Sequence, residues 1–320
     1  MAEHEVTVSV IMLTYNQEKY IEQALQSVLA QETAFPFEVL IGDDGSCDGT
    51  AEKIAPYLQQ FPDKVYYFRR TENMGAARNA YDLLLRGRGT YLAFCEGDDY
   101  WTDRHKLQKQ VDFLEEHPDI IGCTHRCLLV DEDGTALPTQ HLSWVRYKRR
   151  FTFRDFQGGR YLPGQTATVV KRNLFCGTQE DWSLLYAYNR HISDRMSTEA
   201  YLLRGDFAAL DETMSAYRKI SRHGGVNLTS RLFKDNDRKC QEELEMTQAL
   251  EQYAASFLKR KVRFSRKRSD IFLAALIGFA QTRSRMWRNT VRQMLDEMTV
   301  REWVCFPLSV LEKVCNKILG

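Results

Sequence analysis

Two tight groups of acidic residues in this 320-residue chain, Asp43-Asp44 and Glu96, Asp98, Asp99, each follow directly on a short β-rich apolar run. Brought to one edge of a sheet, they gather more like charge than a site holds without a counter-ion. A divalent cation is the economical answer. Hard Mg²⁺ or Mn²⁺ takes carboxylate oxygens together with phosphate oxygens of a substrate and is seldom caged wholly by protein, so metal binding of this kind is coupled to a diphosphate. The bland reading competes at each group: Asp43-Asp44-Gly45-Ser46 also suits a strand-ending turn, and Glu96-Gly97-Asp98-Asp99 a solvated acidic loop.

The elements that must position these acids are legible from periodicity. Val6 to Leu13, Val39 to Ile41, Val65 to Phe68 and Tyr91 to Cys95 read as strands. Ile21, Leu25, Val28 and Leu29 recur at helical spacing between the first two, as does Ala77 to Leu85 between the last two. Alternation of this kind predicts an α/β fold with a mostly parallel sheet flanked by helices. Ligands of such sheets bind outside the carboxyl ends of the strands, where the chain places Thr14-Tyr15-Asn16, Asp43 to Ser46, Asn73 to Asn79 and Glu96 to Asp99. Arg104 to Glu116 reads as an amphipathic helix stopped before Pro118, and Ile120 to Val130 as a strand. Gln165 to Val170 is a further expected strand, with helices over Asp181 to Tyr188 and Ser197 to Leu203. After Gly224-Gly225 the β signal fades. The expected domains are 1–226, with a nucleotide half over about 1–115 and an acceptor half over 116–226, and a helical C-terminal region over 227–320.

Bulk properties exclude several classes. A formal net charge of +1 gives no global electrostatic case for a nucleic-acid partner. Eight cysteines without a C-x-x-C pair suit reduced thiols, not a disulfide framework. The acidic start, Met1 to Val6, lacks the basic and apolar regions of a secretory signal, and the apolar run Ile271 to Ala280 is short of the roughly 20 residues that cross a bilayer. A cytoplasmic protein is expected.

Taken together, Val8-Ser9-Val10-Ile11 with Thr14-Tyr15-Asn16, Asp43-Asp44-Gly45-Ser46-Cys47-Asp48-Gly49-Thr50, Asn73-Met74-Gly75-Ala76-Ala77-Arg78-Asn79 and Glu96-Gly97-Asp98-Asp99-Tyr100-Trp101 resemble the family 2 GT-A glycosyltransferases. The order of these four motifs, each past an expected strand, carries the resemblance. It implies an inverting, metal-dependent transferase that moves a sugar from a nucleotide-diphosphate sugar, a UDP-sugar by preference, to an acceptor hydroxyl on a glycan or lipid-linked acceptor in surface polysaccharide synthesis. By the same likeness Asp44 accepts from the nucleobase, Thr14 and Tyr15 lie beside the base, and Arg78 lies near the nucleotide. Asp98 contacts the ribose or the metal's water shell, and Asp99 ligates Mn²⁺ or Mg²⁺. Glu96 stands where many members have Asp, and no ligand role is carried over to it. Glu180-Asp181-Trp182 resembles the acceptor-side E-D segment, making Asp181 the base, with a helix start to hold it ionised. Met214 to Arg218 followed by His223-Gly224-Gly225 resembles the segment that closes the donor site, with His223 a ligand to metal or diphosphate at a longer interval than usual.

Asp181 also fits an ordinary helix-start acid, Arg78 a surface arginine, His223 a loop histidine, and Thr14 and Tyr15 capping and packing residues. Cys123, His125 and Cys127 do not read as a zinc site, because strand residues two apart are spaced roughly 6.6 Å, too far for ligands about 2.0 to 2.3 Å from one ion. The cluster Lys259-Arg260-Lys261, Arg263 and Arg266-Lys267-Arg268 reads either as a peripheral contact with the inner face of the membrane or as a solvated helix face or subunit contact in a homo-oligomer. Two other functions compete: a nucleotidyltransferase making the sugar nucleotide, whose Gly-rich basic phosphate loop is not what Thr14-Tyr15-Asn16-Gln17 offers, and a non-catalytic nucleotide-sugar-binding or scaffolding module.

Overall fold

The structure, a computed structural model, describes residues 6–138, 149–157, 162, 165–188, 193–220, 236–282 and 285–307. The chain opens with β1 (Val8–Thr14), α1 (Ile21–Leu29), β2 (Phe37–Asp43), α2 (Thr50–Gln60), β3 (Val65–Arg69), α3 (Ala76–Arg86) and β4 (Tyr91–Phe94). These four strands are parallel, with β1 between β2 and β4 and β3 outside β2. Val8, Val10, Met12, Val39 and Ile41 are fully buried; strands covered on both faces read as apolar runs, which is why they are visible in the sequence. Strand order turns back at β1 and β4, so the crevice outside their carboxyl ends is the switch point of the sheet.

One close contact fixes a helix to this sheet. A Cβ on Gly42 of β2 would lie 2.5 Å from Asn79 Oδ1, so glycine lets Asn79 of α3 approach and donate from Nδ2 to the Gly42 carbonyl at 2.8 Å.

The chain continues through β5 (Tyr100–Trp101), α4 (Lys106–Glu116), β6 (Ile120–Val130), β7 (Arg150–Phe151), α5 (Phe153–Gln157), β8 (Val170–Arg172), α6 (Ser183–Tyr188), α7 (Ser193–Leu202) and β9 (Asp206–Arg218). Among the described residues the sheet has the order β3-β2-β1-β4-β8-β6-β9-β5, with β7 on β9. It is mixed beyond β4: β8 is antiparallel to β4 and β6, β6 and β9 are parallel, and β5 is antiparallel to β9. The expected strand over Gln165 to Val170 is instead a 3₁₀ turn, Thr166–Thr168, leading into β8. The helix expected from Asp181 begins at Ser183, and the one expected from Ser197 begins four residues earlier, at Ser193. Cys123 and Cys127 are buried, and buried His125 meets the Arg126 carbonyl through Nδ1.

The described residues divide into two compact units: 6–138, 149–156, 162, 165–182 and 193–220 in one, and 157, 183–188, 236–282 and 285–307 in the other. The second contains α8 (Asn236–Ser256), α9 (Ser265–Thr282) and α10 (Arg285–Glu297), around a core that includes Leu244, Phe272, Ala275, Trp287 and Met294. Its basic run is not a single solvated face. Arg268 is 3% exposed and donates to Glu251 at 2.8 Å and Glu297 at 2.9 Å. Arg263 donates to Glu302 at 2.9 Å, and Lys267 faces Glu243. Lys259, Arg260 and Lys261 are exposed.

Candidate active site

The loops after β1 and β2 brace one another. The Thr14 carbonyl accepts from Asp44 N at 3.0 Å. Asn16, held at φ 53°, donates its N–H to Ser46 Oγ and accepts from Cys47 N at Oδ1, both at 2.9 Å. Gln17 N donates to Thr50 Oγ1 and Glu18 N to Asp48 Oδ2. Polar residues in this stretch therefore build the loop pair itself. Tyr15 projects from it, 43% exposed, while Thr14 is buried.

Asp43 and Asp44 part company. Asp43 is fully buried, accepting from Ser46 N at 2.8 Å and Tyr67 Oη at 2.5 Å; it is the turn acid of the bland reading. Asp44 accepts from Met74 N at 2.8 Å and Gly75 N at 2.9 Å, just ahead of α3. Gly75 has φ 91°, where glycine is favoured. A carboxylate has about four lone-pair sites, so Asp44 can hold this helix entry and still accept from a ligand. Burial raises its pKa, and the two N–H groups pull against that. Arg78 is exposed in the first turn of α3.

The loop after β4 carries the other acids. Gly97 N donates to the Leu13 carbonyl at 2.9 Å, and a Cβ on Gly97 would lie 2.3 Å from Gln17 Oε1 and 3.0 Å from Thr14 Oγ1. The acid loop thus lies directly against the first loop. Asp99 is 1% exposed; its Oδ1 accepts from Arg218 N at 2.9 Å, and its buried Oδ2 has no hydrogen-bond partner among the described residues. Burial, then the Asp98 and Glu96 charges, hold the Asp99 pKa well above the ordinary range. Burial, then Asp98 and Asp194, push Glu96 up to about 8. Asp98 is raised by burial as well.

Arg218 at the end of β9 is a cation beside these acids, yet its guanidinium goes elsewhere. Nε donates to the Asp98 carbonyl at 3.0 Å, Nη1 to the Glu132 carbonyl at 2.9 Å and Nη2 to Gln23 Oε1 at 2.6 Å. Its planar head lies 4.6 Å from the Tyr20 ring centroid. Arg218 fixes the backbone of the acid loop and leaves the carboxylates crowded. An orphaned buried oxygen in an acidic cluster has chemistry that a bound cation would satisfy. Among the described residues, no three His, Cys, Asp or Glu side chains group to hold an ion, so a zinc-type cage does not fit. An Mg²⁺ or Mn²⁺ ion held by Asp99, with phosphate and water completing its shell, does fit. His223 lies outside the described residues.

Linkage gives this electrostatic strain a measurable sign. Folded Glu96 keeps its proton to about pH 8, whereas unfolded Glu releases it near about 4.3. The folded state binds more protons across that window, so stability without divalent ion should fall as pH rises from about 4.5 to about 8. Mn²⁺ at about a hundredfold over its Kd should add about 2.7 kcal/mol and flatten the slope. Thermal melts at several pH values with EDTA or Mn²⁺ check both; a pH-independent Tm in EDTA would remove the charge-crowding account.

On the acceptor side, Asp181 is exposed and accepts from Tyr81 Oη at 3.0 Å. It precedes α6 by two residues, so the expected helix start does not lie on it. Its neighbours are structural. Glu180 pairs with Arg204 and accepts from Trp182 Nε1 at 2.5 Å, and fully buried Trp182 packs edge-on against Phe175 and Tyr201. A second acid is Asp194, exposed in the first turn of α7, whose charge helps raise the Glu96 pKa. Buried Lys171 of β8 anchors that turn: its Nζ donates to Ser197 Oγ at 2.6 Å and lies 4.5 Å from the Phe94 ring centroid, at the end of β4. The Asp194 charge acts on Glu96, Lys171 and Tyr217. Ser193-Asp194, a capping pair ahead of an apolar-periodic run, was the available signal.

A mostly parallel α/β sheet whose loops after β2 and β4 carry Asp44, Asp98 and Asp99 at one edge, with a mixed half beyond β4, is the architecture of the GT-A glycosyltransferases. The family model "Glycosyl transferase family 2" matches residues 9–175, more than half of the chain, and the chain belongs to that family. It is 37% identical over 224 residues to the uncharacterized protein Rv1520 of Mycobacterium tuberculosis, covering 68% of this chain and 59% of that one; the chain thus spans under two thirds of that relative. It is also 37% identical over 130 residues to a Bacillus subtilis protein named for teichuronic acid biosynthesis, the glycosyltransferase TuaG, covering 41% of this chain and 50% of that one. The solved structure of S. aureus TarS 1-349 in complex with UDP shares the fold at a TM-score of 0.53 and 17% identity, over 92% of this chain and 93% of that one. No helix among the described residues is long and apolar enough to cross a membrane.

Proposed function

We propose that this chain transfers a sugar, with inversion, from a UDP-sugar to an acceptor hydroxyl during assembly of a surface polysaccharide, working in the cytoplasm. The observation that carries the reading is the unpartnered, buried Oδ2 of Asp99, set among like charges in a loop that touches the one after β1. The UDP in the TarS complex and the naming of TuaG supply the donor nucleotide and the setting. Residues 1–226 carry the reaction, and 227–320 form the helical appendage.

In this reading Asp44 accepts from the nucleobase with the lone pairs its helix-entry contacts leave, while Thr14 and Tyr15 line the base and Arg78 lies near the nucleotide. Asp98 contacts the ribose or the water shell of the ion, and Asp99 holds Mg²⁺ or Mn²⁺, joined by His223. When bound, the ion supplies positive charge to the departing diphosphate. The chain's remaining task is to take the proton from the acceptor hydroxyl as it attacks the anomeric carbon. Asp181 is the base by sequence likeness; Asp194 is the competing base through its charge on Glu96 and its place on a helix that Lys171 ties to the end of β4.

The test is nucleotide release and sugar transfer by the full chain with a panel of UDP-sugars, with and without Mn²⁺. Metal-dependent UDP release is expected. Pyrophosphate release from a nucleoside triphosphate would instead mark a nucleotidyltransferase, and tight UDP-sugar binding without turnover on any acceptor would mark a binding module.

A further inference from the structure

The basic run of the helical unit has a buried part around Arg268 and an exposed part at 259–261, and the exposed part has apolar company. At the end of α8 the chain turns through Lys259, held at φ 53° where glycine is favoured, and Arg260 N donates back to the Ala254 carbonyl at 2.9 Å. That turn presents Lys259, Arg260 and Lys261 on the surface beside Phe257, itself 40% exposed. Two residues on, Arg263 reaches across to the end of α10 and the helical residues 300–307: Nη2 donates to the Glu297 carbonyl at 2.8 Å and Nε to Glu302 at 2.9 Å. The tie brings these helical residues to the same end of the unit as the basic turn. Among them, Val300, Trp303 and Val304 are 82%, 48% and 66% exposed and share one face by their i, i+3, i+4 spacing. Trp303 rests edge-on against Phe272 and Phe306, 5.9 and 6.3 Å between centroids, with about half of its surface exposed.

We infer that this end of the helical unit, built from Phe257, Lys259, Lys261, Val300, Trp303 and Val304, docks on an anionic lipid surface. Cations beside outward aliphatic and aromatic side chains combine the two attractions that hold a protein in the headgroup region, charge and shallow apolar burial. Arg301, exposed beside Val300, adds to the same charge. With no membrane-crossing helix among the described residues, the contact is a surface one. Lys259 also has a local role, donating from Nζ to the Ser256 carbonyl at 2.7 Å, and the test separates that role from docking.

The experiment is sedimentation of the full chain with vesicles of phosphatidylcholine alone or mixed with phosphatidylglycerol. Binding is expected only with the anionic vesicles and should weaken as salt is added. Lys259→Gln with Lys261→Gln should lower partitioning about thirtyfold, the worth of two surface cations, without a change in helical circular dichroism. Trp303→Ser with Val304→Ser should lower it too; should that variant misfold, the charge variant decides alone. Failure to sediment with anionic vesicles, or equal partitioning by the folded charge variant, overturns the inference. So does a concentration-dependent dimer abolished by the same substitutions, which would make a second copy the occupant. None of these outcomes depends on the enzymatic reading.

Discussion

Replacing Asp99 with Asn is expected to lower Mn²⁺-dependent turnover about a thousandfold, or roughly 4 kcal/mol of transition-state stabilisation, the scale of losing a metal that neutralises a leaving group. The fold should survive. Arg218 N donates to Asp99 Oδ1, and the amide oxygen of Asn can take that bond. The change takes a carboxyl whose ionisation is resisted out of a buried acidic cluster, so without metal the variant should melt at or above the wild-type temperature while losing the gain from Mn²⁺. Loss of activity with unchanged or raised EDTA stability is an unusual pairing, and turnover assays beside thermal melts read it directly. Normal turnover would remove Asp99 from the metal site.

Asp194→Asn is the second large effect. Loss of a general base costs on the order of 10² to 10⁴ in rate, and UDP affinity should be unchanged because Asp194 stands outside the proposed nucleotide contacts. It is exposed, so stability should shift by no more than about 0.5 kcal/mol. Asp181→Asn is the control. Tyr81 Oη can donate to an amide oxygen as it does to Asp181 Oδ1, and little change in turnover is expected. The reverse ranking, with Asp181→Asn inactive and Asp194→Asn active, would return the role to Asp181.

Much of the fold was legible because parallel strands covered on both faces announce themselves as apolar runs, and the four motif loops follow those strands in order. What was missed was less periodic. α2 contains Pro56 and a thin apolar stripe, with Thr50 and Ile54 its buried residues. β9 pairs with β6 over most of its length but carries Asp211, Glu212 and Thr213 exposed in its middle, which breaks the alternation by which a strand is read. A helix read from Ser197 stops short of Asp194, which lies in the first turn of α7. The basic C-terminal run is legible only in part: the acids that pair with its Arg263 and Arg268, namely Glu251, Glu297 and Glu302, lie up to 39 residues away in sequence, and no local pattern announces such partners. Asp43 and Asp44 were indistinguishable as letters; only the hydrogen bonds separate the turn acid from the one with lone pairs to spare.

Arg218 sets a limit on how this site can drift. Its three guanidinium nitrogens each donate to a different oxygen, from the Asp98 carbonyl, the Glu132 carbonyl and Gln23. A lysine in its place would bring the same charge on a single ammonium, without a rigid fork to span those separated acceptors. The requirement is for shape more than for sign, so substitutions at this position should be purged even where net charge is preserved. Neutral wandering is then confined to the surface around the acid loop, not to the strut beneath it.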